Sequence, residues 1–263
     1  MMDLKHFEKE MQVKGWVIFP ALFDKTFVAR MLADMDKAYE NCRRIQVKNG
    51  VDKETEGTLH HLVGQGDTFM EYIDKLEPLM PYMESYFQGK FILNSFGGNI
   101  NAPRRKSYAS NIHRDIRSFS GDMPLLLNTL FMLDDFTKDN GATWMLSGSH
   151  KKGEKPTEDY FWKNGEQAIG SAGSVLMFNS NVWHAAGENV TDKVRRSVTP
   201  MFCKPFMKQG FDYPRAVGYK EGEKLPEHVR QILGYNARVP ATLDEWYQPP
   251  EKRMYRPGRL CAA

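Results

Sequence analysis

From Lys90 onward the chain is a succession of short runs: KFILNSFGGNI, SYASNIHRD, PLLLNTLFML, ATWMLSG, GSVLMFNSNVWHAA and RRSVTPMFCK. Each is apolar or alternating, and Gly, Asn, Asp and Pro separate them. Strands this short, with turn residues at this spacing, restrict the fold to an all-β sandwich, barrel or jelly roll. Helical patterns flank the block. Leu4, Phe7 and Met11 recur at helix spacing ahead of Gly15, and WVIFPALF reads as a short buried strand closed by Pro20. Asp24 reads as the N-cap of a helix reaching about Arg44, with Phe27, Met31, Met35 and Ala38 as its apolar stripe. A third helical stretch, 67–88, is interrupted by Pro78 and Pro81. Residues 48–67 are polar and Gly-rich, a long excursion of the kind that serves as a lid or faces a substrate. Beyond the β block, LPEHVRQILGY reads as a helix ended by Gly234, and the Pro- and aromatic-rich tail after Pro240 as an extended arm.

The expected organisation is one domain over 1–263, mainly β with flanking helices. It comprises a mainly helical part (1–89), a jelly-roll core (90–207), and a C-terminal helix and arm (208–263). A chain of 263 residues is long enough for one sizeable core without a second domain. A net charge of +3 with both signs mixed argues against a nucleic-acid partner recruited by bulk charge. Arg104-Arg105-Lys106 is the sharpest basic spot, either a solvated loop or a grip on an anionic substrate. No apolar run approaches a membrane span, and the N-terminus lacks a signal-peptide pattern. Cys42, Cys203 and Cys261 are scattered and form no CxxC pair, which fits reduced thiols and a cytoplasmic location. A monomer or homodimer is expected.

The stretch NIHRDIRS places His113 and Asp115 two residues apart. On a strand, i and i+2 share a face, so the imidazole and carboxylate would project together while Arg114 points away. Such a pair is either a polar strand end or two ligands of a divalent metal, which a further histidine would complete to a facial triad. FNSNVWHAAGENVTDKVRRSVTPMF supplies that histidine, His184, followed by small residues. Eleven positions later comes Arg195, in a segment that reads as a strand. A guanidinium inside a barrel needs an anion, and a carboxylate is its natural partner. Strand alternation lets only one of Arg195 and Arg196 point inward, and the spacing and the Arg-x-Ser pattern favour Arg195.

The ordered elements HRD, NGATWMLSGSHKKG and WHAAGENVTDKVRRS resemble the phytanoyl-CoA dioxygenase family of Fe(II)/2-oxoglutarate oxygenases, the family of ectoine hydroxylase. The resemblance covers roughly residues 90–202 and implies a double-stranded β-helix core, that is, a cupin-like jelly roll. It implies that His113, Asp115 and His184 hold Fe(II) and that Arg195 grips the distal carboxylate of 2-oxoglutarate. Ser197, one strand repeat on, adds a hydroxyl. Asn128 is a candidate for the cosubstrate carboxylate or else a satisfied core amide, and Ser110 is a weaker candidate of the same kind. Tyr108 and Arg117 flank the metal motif as tentative substrate contacts, Arg117 in phase with Asp115 and suited to an anion. Gly148-Ser149-His150 and Asn140-Gly141 read as turns rather than chemistry.

The resemblance implies a dioxygenase that uses O₂ and 2-oxoglutarate, releases succinate and CO₂, and oxidises a C–H bond of a small polar metabolite. Hydroxylation is favoured because Asp115 is present where halogenases of the family lack the carboxylate. Desaturation, cyclisation, demethylation and epimerisation share the same residues. Two other readings stand beside it: a cupin-type metal-dependent isomerase or hydrolase that does not use 2-oxoglutarate, and a non-catalytic binding protein on the same fold. The buried arginine discriminates against the first, and the intact triad against the second.

Overall fold

The computed structural model describes residues 1–105 and 108–255. Asp3 opens α1 (Leu4–Val13) by accepting the backbone N–H of His6 at 3.2 Å. Gly15, in the left-handed region at φ 85°, then turns the chain into β1 (Trp16–Phe19). A side chain at Gly15 would place its Cβ 2.4 Å from the His150 ring, so glycine is required for conformation and for space. Asp24 caps α2 (Lys25–Lys48) through the N–H of Phe27 at 2.8 Å, and the expected stripe of Phe27, Met31, Met35 and Ala38 is buried. The helix runs one turn beyond the expected Arg44, up to Asn49 and Gly50.

The excursion that follows carries β2 (Thr58–Leu59). Pro78 and Pro81 divide the next helical stretch into α3 (Asp67–Asp74), a 3₁₀ turn and α4 (Met80–Phe87). Then come β3 (Ile92–Asn101), β4 (Leu126–Met132), β5 (Trp144–Met145), α5 (Glu158–Asn164), β6 (Glu166–Gln167), β7 (Val175–Asn179), β8 (His184–Ala185) and β9 (Arg195–Cys203). Short helices α6 (Tyr213–Val217), α7 (Tyr219–Gly222), α8 (Glu227–Leu233) and α9 (Leu243–Trp246) end the described chain. The tail is therefore not simply an extended arm: Thr242 accepts the N–H of Glu245 while the Glu245 carboxylate accepts that of Ala241, which starts α9.

The strands form a six-stranded antiparallel sheet in the order β1-β7-β4-β9-β3-β2, faced by a three-stranded sheet β6-β5-β8. Alternation gives the large sheet two different faces. Leu127 and Phe131 of β4, Val175 and Met177 of β7, and Val198 and Phe202 of β9 join the core packed under the N-terminal helices. There Phe131 stacks between Phe27 and Tyr72, with ring centroids at 6.1 and 5.4 Å. The opposite residues, Asn128 and Leu130, Phe178, and Arg195 and Ser197, line an internal cavity. In β3 the register slips between Leu93 and Ser95. This bulge at Asn94 shifts the phase, so Leu93 and Phe96 both face the helices while Ser95, Gly97 and Asn99 reach the cavity.

Candidate metal centre and its cavity

Among the segments expected to be strands, SYASNIHRD behaves differently. Tyr108–Ser110 form a 3₁₀ turn, and only His113 makes a ladder contact, an isolated bridge to His184. The chain then bends, because the N–H groups of Asp115 and Ile116 both turn to the carbonyl of Ser180, at 3.2 and 3.3 Å. His113 and Asp115 still converge, but by a bridge followed by a bend rather than by a regular strand. Arg114 does point away: its guanidinium lies 4.4 Å from the Trp183 ring centroid and donates to the Gly153 carbonyl.

His113 Nε2 lies 3.6 Å from one Asp115 oxygen, and His184 Nε2 lies 3.5 Å from the other. The donor atoms of all three residues fall within 4.8 Å of one another. In each histidine Nδ1 meets the carbonyl two residues earlier, Asn111 at 2.7 Å for His113 and Val182 at 3.0 Å for His184. Nδ1 therefore carries the proton, and the Nε2 lone pairs face the carboxylate. Burial pushes the His184 imidazole down to about 4, against the opposing pull of Asp115, so it is neutral and able to ligate near pH 7. Two imidazoles and a carboxylate facing one another at the cavity are a donor set suited to a first-row divalent ion. Asn128, buried in β4, donates its amide to Asp115 Oδ2 and reaches Ser180 Oγ at 3.4 Å. Its amide thus faces the Asp115 carboxylate of the triad.

Arg195 is 2% exposed and lies with its guanidinium 4.3 Å from the Phe136 ring centroid. It donates to the Gly141 carbonyl at 3.1 Å and to Ser197 Oγ at 3.5 Å, while its Nε has no partner. No carboxylate stands within ion-pair distance of it among the described residues, and burial lowers its pKa to about 10. Arg196 faces outward and is neutralised by Asp134 through paired contacts of 2.9 Å. A buried cation with an orphaned donor, on the wall of the cavity that holds the triad, fits an acidic guest such as a dicarboxylate.

The turns read as purely structural also organise the site. Gly141, at φ 82°, presents the carbonyl that receives Arg195, and a Cβ there would lie 2.4 Å from Gly187 O and Asn101 Nδ2. Ser149 accepts the N–H of Trp183 at 2.9 Å, fixing the residue before His184. Asn189, fully buried, donates to the Asn101 and Lys193 carbonyls and accepts from Thr191, which closes the loop between His184 and Arg195.

The cavity holds about 410 Å³. Arg117 lies at its exposed rim, and Ser197 is fully buried on its wall. Ser110 sits in the 3₁₀ turn, outside the lining; the side chain of Tyr108 lies outside the described residues. Sequence reasoning missed Thr199 and Met201, although continuing the Arg195–Ser197 alternation along β9 would have found both. His60 and His61, in the 48–67 excursion expected to serve as a lid or to face a substrate, follow β2 onto the cavity wall.

A family model for phytanoyl-CoA dioxygenase (PhyH) matches residues 11–197. The chain belongs to the phytanoyl-CoA dioxygenase family. Within the curated proteins, the uncharacterized protein Rv1501 of Mycobacterium tuberculosis is 38% identical over 174 residues, 66% of this chain and 63% of that protein. Dioxygenase cdmA of Talaromyces verruculosus is 26% identical over 62% of this chain and 56% of its own length. The chain thus matches less than two thirds of each of these relatives. Of solved structures, the non-heme α-ketoglutarate-dependent epimerase SnoN from nogalamycin biosynthesis superposes with a TM-score of 0.59 at 17% identity, covering 77% of this chain and 81% of SnoN. AviO1 from Streptomyces viridochromogenes Tue57 gives 0.58 at 16% identity, over 78% of this chain and 96% of its own. These likenesses establish the jelly-roll fold for this PhyH member. No helix among the described residues is long and apolar enough to cross a membrane.

Proposed function

We propose that this PhyH-family protein is an Fe(II)- and 2-oxoglutarate-dependent dioxygenase that oxidises, by hydroxylation, a C–H bond of a small polar metabolite. The observation that carries the reading is the pairing, in one cavity, of the His113–Asp115–His184 donor set with the buried, carboxylate-free Arg195. The relative named a dioxygenase and the SnoN structure described with Fe³⁺ and α-ketoglutarate support it by analogy.

His113, Asp115 and His184 would hold the metal, and Arg195 with Ser197 would take the far carboxylate of 2-oxoglutarate. When bound, that metal supplies O₂ activation coupled to decarboxylation of 2-oxoglutarate, with succinate and CO₂ as co-products. The chain's own residues do the rest. The Asn111 and Val182 carbonyls hold the imidazole tautomers, Asn128 holds the Asp115 carboxylate, and Phe178 packs edge-on against His184 at 4.9 Å. Leu130, Phe178 and Met201 supply the apolar part of the lining. A volume of about 410 Å³ suits a cosubstrate and a small metabolite together rather than a buried acyl-CoA.

Anaerobic titration of the protein with Fe(II) and then 2-oxoglutarate tests this. A weak visible charge-transfer band and calorimetric binding are expected; absence of both rules the reading out. Succinate release in a metabolite screen, followed by mass spectrometry, then identifies the outcome. A gain of one oxygen marks hydroxylation, a loss of two hydrogens marks desaturation or ring closure, and an unchanged mass marks the epimerisation named for SnoN.

A further inference from the structure

We propose that the substrate carries an oxyanion, a carboxylate or a phosphate, and that Arg117 receives it together with the His60–His61 wall. The inference rests on the 2-oxoglutarate reading above and specifies the substrate class for that site.

The register of the large sheet divides the cavity. Asn128 lies opposite Met201, and Met201 opposite Ser95, so this row crosses the sheet at the level of Asp115. Arg195 and its neighbour Asn101 close the other end of the same strands. Between the triad and the edge strand β2, the floor is Thr199 and Gly97, where a Cβ on Gly97 would stand 3.0 Å from Thr199 Oγ1. That glycine keeps a shallow, polar bed open for a guest lying beside the metal and the cosubstrate.

The ionisable groups around this bed are one-sided. Asp115 is the sole carboxylate among the described lining residues, and it belongs to the metal triad. The others outside the triad and Arg195 are Arg117, His60 and His61. Of the other nearby arginines, Arg104 pairs with Asp192, Arg105 with Glu56 and Arg196 with Asp134, while Arg114 turns away onto Trp183 and the Gly153 carbonyl. Arg117 has neither an ion pair nor a hydrogen bond among the described residues, and it lines both the cavity and the shallower surface hollow beside Arg114 and Phe119. With Fe(II), Asp115, 2-oxoglutarate and Arg195 summing to zero charge, Arg117 is left as the uncompensated cation among the described lining residues.

His61 is held by its neighbours. Its backbone is left-handed, at φ 57°, a region that few residues with a side chain adopt but in which histidine is enriched. Those neighbours are Phe211, stacked on the ring at 4.3 Å and 14°, and the Tyr213 hydroxyl, 3.3 Å from Nδ1. These contacts fix the wall, and the adjacent His60 ring has no hydrogen-bond partner among the described residues. Arg117 and one ring nitrogen of each imidazole offer donors to oxygen atoms, and no carboxylate outside the metal triad is among the described lining residues to attract an ammonium group.

Full-length protein saturated with Zn(II) and 2-oxoglutarate, the latter verified by calorimetry, is titrated with inorganic phosphate, butyrate and butyramide by saturation-transfer NMR. Saturable binding of at least one anion, and none of butyramide, is expected. Arg117→Gln should weaken the anion by about tenfold, Arg117→Lys should retain most of it, and 2-oxoglutarate affinity should hold in both. The stronger of the phosphate and butyrate responses names the oxyanion. Butyramide binding as well as butyrate, no saturable anion binding, or anion binding indifferent to Arg117→Gln would each overturn the proposal. A wild-type protein that fails to bind 2-oxoglutarate counts against the preceding section instead, because that calorimetric step is read separately.

Discussion

His113 and His184 are the two halves of a single antiparallel bridge. Each donates its backbone N–H to the other's carbonyl, at 3.0 and 2.9 Å, and their ring centroids lie 4.2 Å apart. The metal-binding geometry is therefore set by main chain, and either imidazole can be removed without unzipping the bridge. His184→Ala is expected to keep the far-ultraviolet circular dichroism of the parent while losing Fe(II) or Co(II) binding in calorimetry. Retained metal affinity in a folded His184→Ala protein would show that the ion, if any, sits elsewhere.

Asn128 donates to Asp115, and through that carboxylate it would act on a bound metal. Loss of such an outer partner typically lowers metal affinity by about 10–100-fold. Asn128→Ala should fall in that range in a chelator competition, with the 2-oxoglutarate affinity of the metal-saturated protein little changed. A larger effect on 2-oxoglutarate than on metal would favour the cosubstrate contact that the sequence offered beside a satisfied core amide.

Arg195 and Arg196 should separate cleanly. Removing one member of a buried charged contact costs about 2–5 kcal/mol, so Arg195→Ala should weaken 2-oxoglutarate by about two orders of magnitude or more. Arg196→Ala breaks a half-exposed pair with Asp134 and should leave 2-oxoglutarate affinity within about threefold, at a stability cost of about 1 kcal/mol. Equal losses would refute the inward assignment of Arg195.

Gly141 combines a left-handed backbone with no space for a side chain. Gly141→Ala should lower stability by at least about 1–3 kcal/mol in urea unfolding and shift the carbonyl that holds Arg195. Weakened 2-oxoglutarate binding in the folded fraction is the expected companion. A variant with parental stability would contradict the contact geometry.

Acid should destabilise the metal-free protein. Burial lowers His60, His61 and His150 below their ordinary value of 6.5, and His184 to about 4. Between those values the unfolded chain binds protons that the folded chain does not, so stability falls as pH drops from about 6.5 towards 4. Above 6.5 this contribution is fully present. Thermal unfolding in EDTA across that window should show Tm decreasing on acidification; a rise would mean that these imidazoles are charged in the folded state.

The strands were legible where one face is buried and the other meets different surroundings, because a period of two then marks the sequence. That holds for β4, whose Leu127 and Phe131 join the helices' core and whose Asn128 and Leu130 face the cavity. It failed at SYASNIHRD, where the backbone leaves the ladder after one bridge and is held by Ser180, a partner 65 positions from Asp115. The bulge at Asn94 was equally silent, since a one-residue insertion changes phase without changing composition.

Local chemistry by itself determined that this chain is a β domain with a His–Asp pair, a distal histidine and one inward arginine. Caps, alternation and residue type are properties of neighbours in sequence, and they survive without knowledge of the fold. Only the tertiary structure decided that Asn128 faces Asp115, that Gly141 supplies the carbonyl for Arg195, and that His60, His61 and Arg117 share the cavity with the triad. Those relationships join segments separated by tens of residues, and their energies depend on burial and distance, which no spacing along the chain encodes.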